Sequence, residues 1–267
     1  ADRPGGGLRP LFRKPQGGPT NSPDMPARKG TEDVHQKKQQ TGIIIAECKK
    51  ASPSKGVMLP EYDPVALALR YQAGGASAVS VLTEPEFFSG SDEDLRMVRR
   101  STGLPVLRKD FMVDEWQIDE SFALGADIVL LIASVLDVAE LAGMIGRAHR
   151  LGMEVLLEAR DGDELDTIRL SGLQPDAIGV NSRDLRDFSV DPERLVKLTG
   201  AMPSGTVRVA ESGIHATDTA RMLFRAGFDA FLIGEHFALA ADPEAEVRRF
   251  REVLDGEIQD GQGAGRE

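Results

Sequence analysis

The sequence predicts a (β/α)8 barrel, in which eight parallel strands alternate with helices around a closed core. Three observations support this prediction. Short apolar runs alternate with amphipathic stretches along residues 43–254, the apolar runs number eight, and their continuous hydrophobicity is typical of parallel strands that helices cover on the outside. An open, doubly wound sheet is the alternative architecture, but eight units in a segment of this length fit the barrel better.

The predicted strands are four to six residues long and rich in Ile, Val, Leu and Ala. They are Ile43–Cys48, Ala78–Thr83, Val106–Lys109, Ile128–Leu131, Val155–Glu158, Ala177–Val180, Val207–Ala210 and Ala230–Ile233. Several helical patterns between them begin at an Asp or Thr and end at a glycine, which are common helix caps. The spacing of these signals predicts repeated βα units.

Both ends of the chain differ from this pattern. Residues 1–42 are rich in Gly, Pro and Arg and show no apolar periodicity, so we expect a disordered or linker-like segment there. An organellar targeting segment is an alternative for these basic residues. The glycine-rich end, residues 255–267, predicts a flexible tail.

Composition limits the classes of partner. The 43 acidic residues outnumber the 32 basic ones, and a net charge of -11 argues against nucleic acid or an anionic membrane as a partner. One cysteine rules out an internal disulfide framework and fits the reducing cytoplasm. No apolar run reaches the ~20 residues that span a bilayer. The four histidines lack the spacing of metal ligands, so we expect no metal site. From the acidic net charge we expect a small molecule as the partner.

Five of the predicted strands end in charged or amide side chains on one face. These side chains are Glu47 and Lys49 at the first strand, Lys109 at the third, Glu158 at the fifth, Asn181 and Arg183 at the sixth, and Glu211 at the seventh. An ion-pair network that only closes the barrel would give a similar pattern. Because buried ion pairs are often no more stabilising than apolar residues, function is the better explanation, and we expect acid–base chemistry at this mouth.

Glycines follow the last two strands, in the segments AESGI and LIGE. Gly213 and Gly234 each stand after a strand and before a predicted helix, where backbone N–H groups can bind a phosphate. Barrels of this class often bind phosphate after strands seven and eight. The positions therefore predict a phosphorylated ligand.

Six motifs together resemble those of the indole-3-glycerol phosphate synthase family. In order, they are AECKKASPSKG, LRKDF, EVLLEA, GVNSRDL, AESGI and FLIGE, spread from about Ile43 to about Leu254. The resemblance implies the substrate 1-(2-carboxyphenylamino)-1-deoxyribulose 5-phosphate. Ring closure, loss of carbon dioxide and loss of water then give indole-3-glycerol phosphate, in tryptophan biosynthesis, without a cofactor.

The resemblance also implies catalytic roles. Lys109 is similar to the general acid that protonates the ribulose carbonyl oxygen as the aromatic carbon attacks. Glu158 is similar to the residue that handles a proton in the dehydration, and Glu47 to a carboxylate that orients the lysines and the substrate hydroxyls. Lys49 is similar to a lysine that contacts the substrate, and the sequence leaves open which lysine acts in which step.

The remaining site residues are implied as contacts of three parts of the substrate. Asn181, which we also count as catalytic, and Arg183 would hold the anthranilate part, where an arginine fork suits a carboxylate. The phosphate would contact Ser52, Ser212, Gly213, Gly234 and the backbone of Glu235, while Phe111, Leu131 and Leu185 would line the slot for the aromatic ring. Lys55 in the SPSKG turn is either a substrate contact or a solvated lysine.

Two other functions are considered. Phosphoribosylanthranilate isomerase is expected to use an Asp and a Cys at strand ends, but Cys48 lies on the opposite strand face from Glu47. A barrel that binds without catalysis would have no need of the whole polar set. The family usually has an N-terminal helical extension that residues 1–42 do not resemble, and the chain is expected to be a monomer, or fused to or associated with other tryptophan-pathway enzymes.

Overall fold

The structure is a computed structural model that describes residues 10–12, 42–183 and 190–263, with side chains described up to residue 259. Eight parallel strands form a closed barrel, which confirms the predicted fold class. A two-stranded hairpin, β2 (Ala51–Ser52) and β3 (Gly56–Val57), lies in the loop after the first strand. The barrel strands are β1 (Ile43–Cys48), β4 (Ala78–Leu82), β5 (Val106–Lys109), β6 (Ile128–Ile132), β7 (Glu154–Ala159), β8 (Ala177–Asn181), β9 (Val207–Glu211) and β10 (Ala230–Ile233).

Helices follow the barrel strands and cover their outer faces. Within the described residues they are α1 (Pro64–Ala73), α2 (Asp92–Ser101), α3 (Trp116–Leu124), α4 (Val138–Arg150), α5 (Gly162–Ser171), α6 (Pro192–Leu198), α7 (Thr217–Arg225), α8 (Glu235–Ala238) and α9 (Pro243–Gly263). Side chains of Asp63, Ser91, Asp137, Asp161 and Asp191 cap five of them by accepting backbone N–H bonds. None of these helices is long and apolar enough to cross a membrane.

Helix α9 continues past the end of the predicted barrel domain. The sequence pattern predicts a flexible tail from residue 255, but residues 255–263 are helical. Phe250 and Leu254 are fully buried, and the helix contacts α1 and α7. Ile258 packs against the same core and continues this apolar stripe, which explains why the helix extends beyond Leu254.

Strand register divides the apolar residues between two cores. Closure of the barrel pairs β1 with both β4 and β10, with Ile45 opposite Ala78 and Ile43 opposite Ala230. Alternate residues of each strand therefore fill the interior, and the others pack against the helices. Cys48 belongs to the outer core, where it is fully buried.

A short N-terminal segment closes the lower end of the barrel, where the strands begin. Leu11 and Phe12 pack against the interior core, and their backbone N–H groups donate to the carboxylate of Glu154 at 2.7 and 2.9 Å. Glu154 is the first residue of β7 and is only 1% exposed. Residues 10–12 of the predicted linker-like segment thus pack against the barrel, while residues 1–9 and 13–41 lie outside the described part of the chain.

Candidate active site

A cavity opens at the carboxyl ends of the barrel strands. It contains about 1090 Å³ of empty space, a volume that includes open solvent. The predicted site residues that line it are Glu47, Lys49, Ser52, Lys109, Phe111, Glu158, Asn181, Arg183, Glu211, Ser212, Gly213, Gly234 and Glu235. Residues from distant parts of the chain thus meet at one mouth because parallel strands end at the same edge.

Lys109 lies at the centre of a group of carboxylates. Its Nζ atom is 3.5 Å from Glu158 Oε2 and 3.6 Å from Glu211 Oε2. The side chain of Asn181 donates a hydrogen bond to Glu158 Oε1 at 3.2 Å, which fixes the other oxygen of that carboxylate. A second pair, Lys49 with Glu47, has an Nζ–Oε1 distance of 2.7 Å.

Charge around Lys109 keeps this amine protonated. Burial alone would lower the pKa of Lys109, but the carboxylates of Glu158, Glu211 and Glu47 outweigh burial and raise that pKa above its ordinary value. Burial raises the pKa of Glu211 well above the usual range, and the neighbouring Glu158 raises it further against the opposing effect of Lys109. The site therefore holds a protonated amine beside a carboxyl group whose pKa is raised, a combination that can support acid–base catalysis.

Two glycines leave room for the buried carboxylates. A Cβ atom added to Gly179 would lie 2.0 Å from Glu211 Oε1, and one added to Gly234 would lie 2.3 Å from Glu47 Oε1. Any side chain at either position would displace the glutamate opposite it. The absence of a side chain at these two positions is thus part of the geometry of the site.

The turn after β9 has an unusual backbone. Ser212 and Gly213 are consecutive residues in the left-handed region, with φ of 64° and 68°. A Cβ atom on Gly213 would lie 2.3 Å from a side-chain carbon of Val190, so only glycine fits there. Ser212 is one of the few non-glycine residues with positive φ in the described chain, and such strain is often found at ligand-binding turns.

The opposite side of the cavity is apolar. Phe111 and Phe88 pack with their ring centroids 6.4 Å apart, and both line the cavity. The prediction for Leu131 was wrong: its side chain faces the helices in the outer core, whereas its neighbours Leu130 and Ile132 line the cavity. Leu185 lies outside the described residues.

The sequence pattern does not predict Phe88 and Glu84 as residues of the site, although both line the cavity. Glu84 is 8% exposed and its carboxylate accepts backbone N–H bonds from Glu86, Phe87 and Phe88 at 2.7 to 3.1 Å. These bonds fold the loop after β4 so that Phe88 faces the cavity. The alternation of strand side chains could have indicated Glu84, because this residue continues the inward face of the second barrel strand beyond Leu82.

This fold and this site define the chain as an acid–base enzyme of the (β/α)8-barrel class. The family model for indole-3-glycerol phosphate synthase matches residues 20–250, and the chain belongs to that family. The chain is 46% identical over 209 residues to the indole-3-glycerol phosphate synthase of Campylobacter curvus. This alignment covers 78% of this chain and 79% of the relative. Indole-3-glycerol phosphate synthase 2 of Streptomyces coelicolor is 48% identical over 205 residues, or 77% of this chain and 79% of the relative.

Solved structures of other proteins share the barrel. The 3-hexulose-6-phosphate synthase of Salmonella typhimurium superposes with a TM-score of 0.64 at 16% identity, over 79% of this chain and 98% of the other. Orotidine 5'-phosphate decarboxylase of Pyrococcus horikoshii gives a TM-score of 0.60 at 15% identity, over 80% and 99%. At these identities the likeness shows the fold alone.

Proposed function

We propose that the mouth of this barrel performs the indole-3-glycerol phosphate synthase reaction with Lys109 as the general acid. The substrate is 1-(2-carboxyphenylamino)-1-deoxyribulose 5-phosphate. The observation that carries the proposal is the position of the Lys109 amine, 3.5 and 3.6 Å from two buried carboxylates that line the cavity with it. Those carboxylates keep the amine charged, so it has a proton to give at neutral pH.

Ring closure is the first step. The lone pair of the arylamine nitrogen drives attack of the ring carbon that bears the carboxylate on the ribulose carbonyl carbon, and a carbon–carbon bond forms. As the carbonyl double bond breaks, its oxygen takes the proton of Lys109. Loss of carbon dioxide then returns the bonding electrons to the ring and neutralises the nitrogen cation.

Dehydration completes the indole. The hydroxyl formed in the first step leaves as water with a proton from Lys49, and Glu158 accepts the proton that is lost from carbon. Glu47, 2.7 Å from Lys49, holds this lysine and orients it toward the substrate hydroxyls. The nitrogen of the substrate supplies electrons for ring closure and dehydration and takes electrons back in the decarboxylation, so the reaction calls for no cofactor.

Substrate binding uses both sides of the cavity. Asn181 and Arg183 hold the carboxylated part, and Phe111 with Leu185 contacts the aromatic ring. Five residues at the other end bind the phosphate: Ser52, Ser212, Gly213, Gly234 and the backbone of Glu235. The left-handed turn at residues 212–213 supports this assignment, since such turns present successive backbone N–H groups to an anion.

The cellular setting is also a proposal. We expect the chain to act in the cytoplasm on a small phosphorylated metabolite, as a monomer or together with other enzymes of tryptophan biosynthesis. The acidic net charge of -11 supports a small-molecule partner over a nucleic acid.

The test is a cofactor-free assay on the purified chain, in which indole fluorescence is followed after addition of 1-(2-carboxyphenylamino)-1-deoxyribulose 5-phosphate. We expect fluorescent product from the wild type and none above background from the double variant Lys109→Ala/Glu158→Gln. A well-folded wild type that binds the substrate and forms no product would contradict the proposal.

A further inference from the structure

Lys55 and Glu235 form an ion pair that bridges two loops at the mouth of the barrel. Lys55 lies in the turn between β2 and β3, and Glu235 is the first residue of α8, directly after Gly234. The Nζ–Oε1 distance is 2.7 Å, although 180 residues separate the partners in the chain. Ser54, next to Lys55, and Glu235 itself line the cavity, so the pair lies at its edge.

The carboxylate of Glu235 is surrounded by basic groups. Besides Lys55, Arg183 approaches it with an Nη2–Oε2 distance of 3.9 Å, and His215 lines the same part of the cavity. Burial alone would raise the pKa of Glu235, but Lys55, His215 and Arg183 outweigh burial and lower it. The carboxylate is therefore ionised at neutral pH and occupies a position that suits an anion.

A bound phosphate would meet this carboxylate. Gly213 and Gly234 line the same end of the cavity as Glu235, and negative charges that approach each other there repel unless a cation lies between them. Lys55 can supply that cation. Its side chain is 50% exposed, and ion pairs of exposed lysines contribute little to stability, so Lys55 can change partners at small cost.

We propose that Lys55 binds the phosphate of the substrate, and that Glu235 holds Lys55 at the edge of the cavity and competes with the phosphate for it. The inference rests on the proposed function, because it takes the substrate to be a phosphate ester. A lysine is a suitable partner, since its ammonium group attracts phosphate as a point charge with three donors.

The first variant to measure is Lys55→Met, which removes the ammonium group and keeps the side-chain length. We expect KM to rise about tenfold and kcat to stay within about twofold, because the contact is made equally in the bound substrate and the transition state. Lys50→Met is the matched control: it removes one lysine charge from the same loop, but the ammonium group of Lys50 acts on Asp94, whereas that of Lys55 acts on Glu235. A KM for Lys55→Met within twofold of the Lys50→Met value would overturn the inference.

Glu235→Gln should have the opposite effect. Without the competing carboxylate, we expect inorganic phosphate to bind about threefold more tightly, measured by titration calorimetry or as the Ki of competitive inhibition. In the double variant Lys55→Met/Glu235→Gln this gain should disappear, because the competitor and the contested lysine are both absent. Weaker phosphate binding by Glu235→Gln would contradict the competition.

Inorganic phosphate also separates this inference from the proposed function. Its binding needs no turnover, so a wild type that forms no product still reports on Lys55. A tenfold loss of phosphate affinity in Lys55→Met with an inactive wild type would support the phosphate contact and reject the proposed activity. Unchanged phosphate affinity in Lys55→Met beside an active wild type would reject the contact alone.

Discussion

Strand β7 carries two buried glutamates that serve opposite ends of the barrel. Glu154, 1% exposed, lies at the lower end and accepts hydrogen bonds from the backbone N–H groups of Leu11 and Phe12. Glu158, 6% exposed, lies at the mouth beside the amine of Lys109 and the amide of Asn181. The two side chains have the same chemistry and the same strand, and differ in their partners.

The comparison shows how the partner decides what a buried carboxylate does. Backbone N–H groups are fixed and do not release a proton to a ligand, and through them Glu154 ties the N-terminal segment to the barrel. A lysine ammonium can give up its proton, so we propose a part in proton transfer for Glu158. In barrels of this class, residues at the lower face generally maintain stability, whereas residues at the upper face carry the chemistry.

The largest effect is expected at Lys109. Lys109→Ala removes the proton donor and should lower kcat by about 10³-fold, within the range that general acids contribute. Steady-state assays of indole formation check this value. Lys50→Ala is the control, since it deletes a nearby lysine charge outside the cavity, and a loss in the control equal to that of Lys109→Ala would show a general charge effect.

Glu158→Gln should have the next largest effect on activity. We expect kcat to fall about 100-fold because the proton acceptor is lost, while the melting temperature should not decrease, because Gln relieves the repulsion between Glu158 and Glu211. Activity assays and thermal denaturation measure both quantities. A fall in melting temperature as large as the one expected for Glu154→Gln would erase the distinction between the two ends.

The pH profile sharpens the same prediction. Because the pKa of Lys109 is raised, the wild type should keep its protonated lysine until the pH rises above the ordinary lysine value, and activity should decline only there. Glu158→Gln removes the carboxylate with the largest attraction for this ammonium group, so the pKa falls and the alkaline decline of the residual activity moves to lower pH. Profiles of kcat/KM between about pH 7 and 11 test the direction. A decline that does not move would place Lys109 outside the proton transfer.

Glu154→Gln should separate stability from activity. Weaker acceptance of the N–H bonds of Leu11 and Phe12 should cost about 2 kcal/mol, or about 5 °C in melting temperature for a chain of this size. The value of kcat should stay within twofold of the wild type. A loss of activity without a loss of stability would contradict a purely structural role for the lower end.

The smallest effect is expected at the apolar wall. Phe111→Ala removes a ring that lines the cavity and is 39% exposed, and we expect KM to rise about fivefold, or about 1 kcal/mol. Leu131→Ala is the matched control, because Leu131 is fully buried in the outer core and should change the melting temperature rather than KM. A change of KM in Leu131→Ala would mean that a packing defect in the outer core alters the substrate site.

The strands and most site positions could be predicted because they depend on local patterns. Continuous apolar runs indicate buried parallel strands. Burying a charged side chain at a strand end costs free energy, so such a side chain indicates a functional site. The alternation failed at Leu131 because Ile128–Ile132 is apolar on both faces, so the sequence contains no sign of which face is inside. The neighbouring strands, through the register of Ile132 with Glu158, decide it.

Contacts between distant segments could not be predicted. Leu11 and Phe12 lie in a segment with the composition of a linker, and their acceptor is more than 140 residues away. The partner of Lys55 is 180 residues away. The second contact depends on closure of the barrel, which pairs β1 with β10, while the first brings the N-terminal segment to the start of β7.

The most direct test of Lys109 as the acid of ring closure is single-turnover release of labelled carbon dioxide by Lys109→Ala. Decarboxylation follows ring closure, so a defect in the first step must suppress both products. We predict that carbon dioxide release and indole formation fall by the same factor, about 10³. Carbon dioxide release at the wild-type rate without indole would show that Lys109 acts only in the dehydration, and would contradict the account.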